Sequence, residues 1–345
     1  RVFDMKRLTI IALLIIAIVV GGCSQTGNQS AVDTTGGPSG TQSGSTRDGA
    51  DEETIDYPTR EIEWVLPFNP GGTSDSSARA IASVVTKYLP NNPNVVIVHM
   101  PGANATLGVE AVYNAKPDGY TIGTTISGAM ALHPQLGTTN YDPKELKPII
   151  KYLTIPRFVM VRADSPWKTF DDWLDYVKNH PGKFKLADAG GGEDFASLAI
   201  RKLMDDAGIE LNLIPYNGGG PATAALLGNH VDGLLSNPSN VDPEDVRILF
   251  TLAKDRSKIY TEVPTLNELG YDIYTNDFYG LLAPPDTPDQ IIQILHDAFK
   301  QALEDPEAID QLEKLGLEID YESSEEFKNL LEEEYERAKI LLKYR

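Results

Sequence analysis

Four short stretches combine glycine with hydroxyl, amide or carboxylate side chains: residues 68–75 (FNPGGTSD), 102–106 (GANAT), 188–192 (DAGGG) and 216–219 (YNGG). Glycine lets a backbone approach a ligand closely, and Thr, Ser or Asn beside it offers a hydroxyl or amide. Where such a loop opens a helix, unpaired N–H groups and the positive end of the helix dipole attract an anion without any lysine or arginine. The chemistry this pattern suits is carboxylate binding. Asp75 reads as a helix cap or loop brace before it reads as a general base or metal ligand. Tyr216 suits either stacking on a ligand or half-buried packing.

Other chemistries are poorly served. Ser165-Pro166-Trp167-Lys168 matches a serine nucleophile with a lysine one turn away, but it precedes a helix and has no partner K-T-G or S-D-N motif. A hydrolase using Ser74 or Ser165 beside a backbone anion hole stays as the alternative function. The five histidines, His99, His133, His180, His230 and His296, lack metal-ligand spacing. Gly190-Gly191-Gly192 starts like a dinucleotide fingerprint, yet Phe195 stands where its third glycine belongs. No cofactor or metal is expected. A formal charge of -20, from 50 acidic and 30 basic side chains, leaves no basic footprint for nucleic acid.

The elements that must hold these loops follow from hydrophobic periodicity. Residues 63–67 read as a strand, and Ala78, Ile81, Ala82, Val85 and Leu89 then recur at helical spacing. Further strands are expected at 94–99, 120–126, 157–162, 184–189, 213–216 and 231–236, most of them leading through a glycine loop into a helix. This alternation predicts an α/β fold with a parallel-rich sheet, and the length suits two lobes. Capping boxes are expected at Thr169–Asp172, Thr287–Gln290 and Ser323–Glu326. In the helix after the third, Phe327, Leu330, Leu331, Tyr335 and Ala338 share one packing face. Ligand sites in such folds sit at the carboxyl ends of strands, where the four loops fall.

The first residues have a separate purpose. Met5-Lys6-Arg7, an apolar run over 8–20 and then Gly21-Gly22-Cys23-Ser24 have the form of a lipoprotein signal and lipobox. Cys23, the single cysteine, is thus the expected lipid attachment point, with residues 1–22 as signal peptide. Residues 23–55 hold almost no large apolar side chain and are expected to be a flexible tether outside the cytoplasmic membrane.

Seven stretches in order, PFNPGGTSDSSAR, MPGANATLG, KPDGYTIG, YDPKELKP, IPYNGGGPATAALLGNHVD, EVPTLNELGYD and DFYGLLAPPDTP, resemble the substrate-binding receptors of tripartite tricarboxylate transporters, the Bug/TctC-type proteins. The resemblance runs from about residue 61 to the end. It implies a two-lobed periplasmic-binding-protein-like fold of type II with the ligand cleft between lobes. Residues 56–158 and 280–345 would form lobe 1, residues 159–279 lobe 2, and the chain would cross between lobes near 157–162 and 277–282. It further implies no enzymatic activity and a small organic carboxylate delivered to a two-component membrane permease by a monomer. A receptor for an ABC-type permease would share the fold.

Carried over by position, lobe 1 contributes Phe68, Asn69, Gly71, Gly72, Thr73, Ser74 and Asp75, then Ala103, Asn104, Ala105 and Thr106, with Thr125 and Ser127 at a third strand end. Lobe 2 contributes Asp188, Gly190, Gly191, Tyr216, Asn217, Gly218 and Ser236. Two departures stand out. Asn104 replaces a glycine of the family's GAGG, adding an amide. Glu193-Asp194 follows the second glycine loop where the family often has serine, so a second ligand carboxylate would be repelled and the ligand is expected to be less charged than citrate.

Overall fold

Two mixed sheets grow from the apolar runs. A computed structural model describes residues 55–345 except Asn217, and of Asn240 the backbone alone. The signal, Cys23 and the tether up to residue 54 lie outside the described residues.

The first half of the chain runs β1 (Ile62–Leu66), α1 (Thr73–Val85), β2 (Val95–His99), α2 (Thr106–Tyr113), β3 (Thr121–Thr125), a π-helical turn at Gly128–Leu132, α3 (His133–Gln135), β4 (Lys147–Thr154) and β5 (Phe158–Arg162). There follow α4 (Phe170–Asn179), β6 (Lys185–Asp188), α5 (Phe195–Ala207), β7 (Asn212–Pro215), α6 (Gly219–Leu227), β8 (Gly233–Ser236) and β9 (Val246–Thr251). The chain ends with β10 (Phe278–Ala283), α7 (Asp289–Glu304), α8 (Pro306–Lys314), β11 (Glu318–Glu322) and α9 (Ser324–Leu341).

One sheet has the order β11-β4-β10-β3-β1-β2 and the other β7-β6-β8-β5-β9. Parallel pairing is confined to β1 with β2 and β3, and to β6 with β7 and β8; β5, β10 and β11 pair antiparallel. The sheets are therefore less parallel than the strand-helix alternation predicts, because β5 and β10, which enter from the other sheet, arrive in the reverse sense, and β11, which follows α8, adds antiparallel to β4 at the edge. The chain leaves the first sheet after Thr154, starts the second at Phe158, and returns between Thr251 and Phe278.

Each sheet has its own core. In the first, Trp64 is fully buried and packs edge-on against Phe299 at 5.4 Å and Tyr152 at 5.9 Å. In the second, Trp173 lies 5.3 Å from Phe250 and 5.6 Å from Phe170. Burying a side chain of this size contributes roughly 1.5–3 kcal/mol, so each core is a substantial independent anchor. A smaller cluster of Ala131, Leu132, Phe195, Leu198, Ala338 and Leu341 ties the π-turn, α5 and α9 together.

Local capping explains several helix starts. Thr169 with Asp172 and Ser323 with Glu326 form reciprocal boxes, as their spacing predicts. The third expected box differs: α7 begins at Asp289 after Pro288, and the Thr287 hydroxyl donates back to the Pro284 carbonyl. On α9, Phe327, Leu331 and Ala338 are buried, while Leu330 and Tyr335 are half-buried.

Candidate functional site

The carboxyl ends of β1, β2 and β3 lie side by side in the first sheet, and those of β6, β7 and β8 in the second. The loops leaving them begin α1, α2, α5 and α6, so strand order gathers helix N-termini at one end of each sheet.

In the β1–α1 loop the brace is Asp75. Its carboxylate accepts the Gly71 N–H at 2.8 Å and lies 2.9 Å from Arg79 Nε and 3.1 Å from His99 Nε2. His99 Nδ1 in turn lies 2.9 Å from the Phe68 carbonyl, so both ends of the loop are tied to one group. Burial works against the Asp75 charge, but the Gly71 N–H, Arg79 and His99 outweigh it and hold its pKa below the usual carboxylate value. Gly72 caps α1 with extended backbone and no side-chain cap. Phe68 is half-buried against Tyr279 at 5.7 Å, Asn69 and Gly71 are exposed, and Ser74 is buried with its hydroxyl bonded to Tyr279. The Thr73 Oγ1 reaches Ser239 Oγ, which belongs to the turn after β8, at 2.9 Å.

The β2–α2 loop is built from backbone. After Gly102 at φ 138°, Ala103, Asn104 and Ala105 adopt φ of 44°, 51° and 73°. Three successive left-handed residues cost roughly 1–2 kcal/mol each where they are not glycine. Such strain persists where surrounding structure imposes it, and runs of unusual backbone turn successive N–H groups into an anion-binding concavity. Thr106 Oγ1 donates to the Ala103 carbonyl at 2.8 Å and closes the loop. Ala103 and Asn104 are exposed, whereas Ala105 and Thr106 are buried.

On the second sheet, charge replaces backbone. Asp188 accepts the Gly190 N–H at 2.9 Å and the Ser197 hydroxyl, while its carbonyl accepts the Tyr216 N–H at 2.8 Å. Gly218 donates to the Ala189 carbonyl at 3.1 Å, tying the two glycine loops together. Asp194 caps α5 through the Ser197 N–H at 2.8 Å. Gly191 has φ 81°, and a Cβ there would lie 3.8 Å from Asn104 Oδ1, which shows how near the two loops come. Tyr216 is half-buried, Gly190 half-buried and Gly218 exposed; Asn217 lies outside the described residues. Ser236, at the end of β8, is buried below Gly219.

Between the sheets sits Arg157, which motif spacing does not single out. Its guanidinium lies 3.2 Å from Asp277 and 3.6 Å from Asp194, and Asp277 also accepts the Ser127 hydroxyl at 3.1 Å. Burial opposes its charge, but Asp277, Asp194 and more distant partners outweigh that and raise its pKa. Burial also raises the pKa of Asp277 despite Arg157, and raises Asp188 to about 6, with Asp194 adding to the effect. Thr125, Ser127 and Asp188 are at most 1% exposed, so they lie beneath the loops. Asp277 and Ser197 likewise escape a sequence reading; the signal available for them was only a polar residue beside a strand start or in a helix's first turn.

The serine-lysine pair is not a nucleophile dyad in this geometry: Lys168 Nζ donates to the Ser165 backbone carbonyl at 2.7 Å. Among the described residues, no three His, Cys, Asp or Glu side chains are placed to hold a metal, and no helix is long and apolar enough to cross a membrane.

Residues 77–345 match the model of the tripartite tricarboxylate transporter family receptor. A protein of Cupriavidus necator encoded in the gbd 5' region is 32% identical over 290 residues, covering 83% of this chain and 88% of that one. The crystal structure of a TctC solute-binding protein from Polaromonas, without ligand, is 29% identical with a TM-score of 0.69, covering 84% of this chain and 100% of that chain. MatC from Rhodopseudomonas palustris, solved with bound malate, is 26% identical with a TM-score of 0.72, covering 83% and 99%. The two-lobed α/β binding fold inferred from the motifs is shared with these structures.

Proposed function

The chain belongs to the tripartite tricarboxylate transporter receptor family, and from that premise we propose that it captures a small organic carboxylate between its lobes outside the cytoplasmic membrane. It then passes the ligand to a two-component membrane permease. The observation that carries this reading is the meeting of helix-opening loops from both sheets, marked by the 2.9 Å contact of Thr73 with Ser239. One carboxylate would rest on the N–H groups of residues 102–105 and the hydroxyl of Thr73, with Ser74 bonded to Tyr279 beneath them. Malate bound in the related MatC supports the ligand class. In this reading lobe 1 is residues 56–158 with 280–345, lobe 2 is residues 159–279, Cys23 carries the lipid, and the receptor works as a monomer.

The second-lobe side favours a ligand of low charge at its far end. Arg157 is already shared between Asp277 and Asp194, and Asp188 lies close by, so a second carboxylate would meet acids. Isothermal titration calorimetry against mono-, di- and tricarboxylates tests both statements. Saturable binding is expected, strongest for monocarboxylates or dicarboxylates and weakest for tricarboxylates. Absence of any saturable binder would overturn the receptor reading, and a preference for tricarboxylates would overturn the charge argument alone.

A further inference from the structure

Strand order divides the space between the lobes in two. In the first sheet β4 and β10, which send and receive the crossing chain, are neighbours, with β3, β1 and β2 on one flank and β11 on the other. In the second sheet β5 and β9 are neighbours, with β8, β6 and β7 on one flank. All loops of the proposed ligand site hang from the β3-β1-β2 and β8-β6-β7 flanks. The loop after β9 and the strand β11 therefore face each other on the far side of the crossovers.

A cavity of about 400 Å³ fills that far side. Its second-lobe wall carries Lys254, Arg256 and Lys258 with Asp255, and its first-lobe wall carries Glu318, Asp320, Glu322 and Glu333 with Lys151, which pairs with Asp320 and Glu322 at 2.7 Å, so the first wall stays net acidic and the second net basic. The walls touch at one edge, where Glu318 accepts the Ser257 hydroxyl at 2.6 Å and the Ile259 N–H at 3.1 Å. Burial works against the Asp320 charge, but Lys151 and Thr154, with a last small contribution from Lys258, hold its pKa below the usual carboxylate value, and Lys254 Nζ stands 5.9 Å from the Tyr274 ring centre. Buried Thr275 Oγ1 lines the same cavity without a hydrogen-bond partner, so the walls are not packed shut there. On the opposite flank the ligand loops are in contact through Thr73 and Ser239. Cleft rims that touch thus coexist with an open cavity behind the crossovers.

Close-packed lobes move as rigid bodies, so rotation about two adjacent crossovers that opens one flank must narrow the other. We infer that the cavity is the counter-face of the ligand cleft: as the cleft opens, the lysine-bearing loop after β9 approaches the acidic face of β11 and α9, and this attraction favours the open state. A ligand must work against that attraction, because apparent affinity falls with the fraction of molecules able to close. Salt weakens it, since the screening length drops from about 10 Å at 0.1 M to about 3 Å at 1 M.

The open-closed balance is measurable without any ligand, which separates this inference from the receptor reading whose cleft it builds on. Spin labels on Ser83→Cys and Lys178→Cys in full-length chain carrying Cys23→Ser report the interlobe distance by pulsed electron resonance. Lys254→Glu with Lys258→Glu should deplete the long-distance population about threefold or more at low salt, and adding Glu333→Lys should restore part of it. Raising NaCl to about 1 M should deplete it in the unsubstituted chain and partly restore it in the charge-reversed chain, whose like-charge repulsion salt also screens. Both lysines are exposed, so the fold should survive, checked by an unchanged melting temperature. A distribution unmoved by charge reversal, one that shifts toward longer distances, or a single distance at every salt concentration would overturn the inference. If charge reversal acts as expected but no carboxylate binds, the counter-face stands and the receptor reading fails.

Discussion

The loop at residues 102–106 and the loop at residues 188–197 occupy equivalent places, each running from a strand's carboxyl end into a helix's first turn, yet they are made of opposite materials. The first is exposed backbone in a left-handed run, shaped by Gly102 and closed by the Thr106 hydroxyl. The second is a buried set of charges, with Asp188, Asp194 and Ser197 interlocked and Arg157 placed against them. Backbone N–H groups present positive potential at fixed positions with no proton to lose, whereas the carboxylates trade charge with their surroundings. In the proposed reading, the first lobe would hold the anion at any pH near neutral, and the second would discriminate at the ligand's far end.

Removing Arg157 should break this contrast most severely. Arg157→Ala leaves Asp277 and Asp194 without their counter-charge, and loss of one partner from a buried charged group costs about 3–5 kcal/mol. Urea unfolding should show a loss of that size, with Arg157→Lys recovering part of it.

Next in size is a pH effect at Asp188. Its folded pKa of about 6 lies above the unfolded value of 3.8, so its contribution is present in full below the unfolded value and is lost as pH rises through 6. In Asp188→Asn that dependence should vanish. The stability of the unsubstituted chain relative to the variant should fall by about 3 kcal/mol between pH 4 and 7, since each pH unit separating the folded and unfolded pKa values is worth about 1.4 kcal/mol. A difference that stays flat over this window would remove the case for a strained, buried carboxylate.

Asp75→Ala should cost about 1–3 kcal/mol, because the Gly71 N–H loses its acceptor and Arg79 and His99 lose their anion. Since the pKa of Asp75 is lowered, its stabilisation is present above the unfolded value and is lost as pH falls through the folded one. Thermal melts of the two chains should therefore converge in acid. The smallest effect belongs to the backbone loop: Ala103→Gly, at φ 44° and exposed, relieves left-handed strain and should stabilise by about 0.5 kcal/mol, the strain relief being partly offset by the entropy of the unfolded glycine. A destabilised Ala103→Gly would show that the left-handed run is not strained.

Much of the fold was legible in the residues. The strand at Trp64, the helix stripe from Ala78 to Val85 and the capping boxes at Thr169 and Ser323 follow from periodicity and spacing, which are local properties. The sense in which β5, β10 and β11 enter their sheets was not legible, because pairing partners lie up to about 170 residues away in sequence. Asp75 could be read as a brace from its place in the helix, but its grip on His99 depends on β2 lying beside β1.

The residues by themselves determined where backbone would be free to approach a ligand. Glycine, proline and hydroxyl side chains at strand ends act on their own few neighbours, so their meaning survives without a fold. Only the tertiary structure decided which charges meet. Arg157, Asp194 and Asp277 come from three distant points of the chain, and Lys151 of β4 meets Asp320 of β11 from far along it. Electrostatic interaction depends on distance through space and on burial, and neither is defined until both sheets have been assembled.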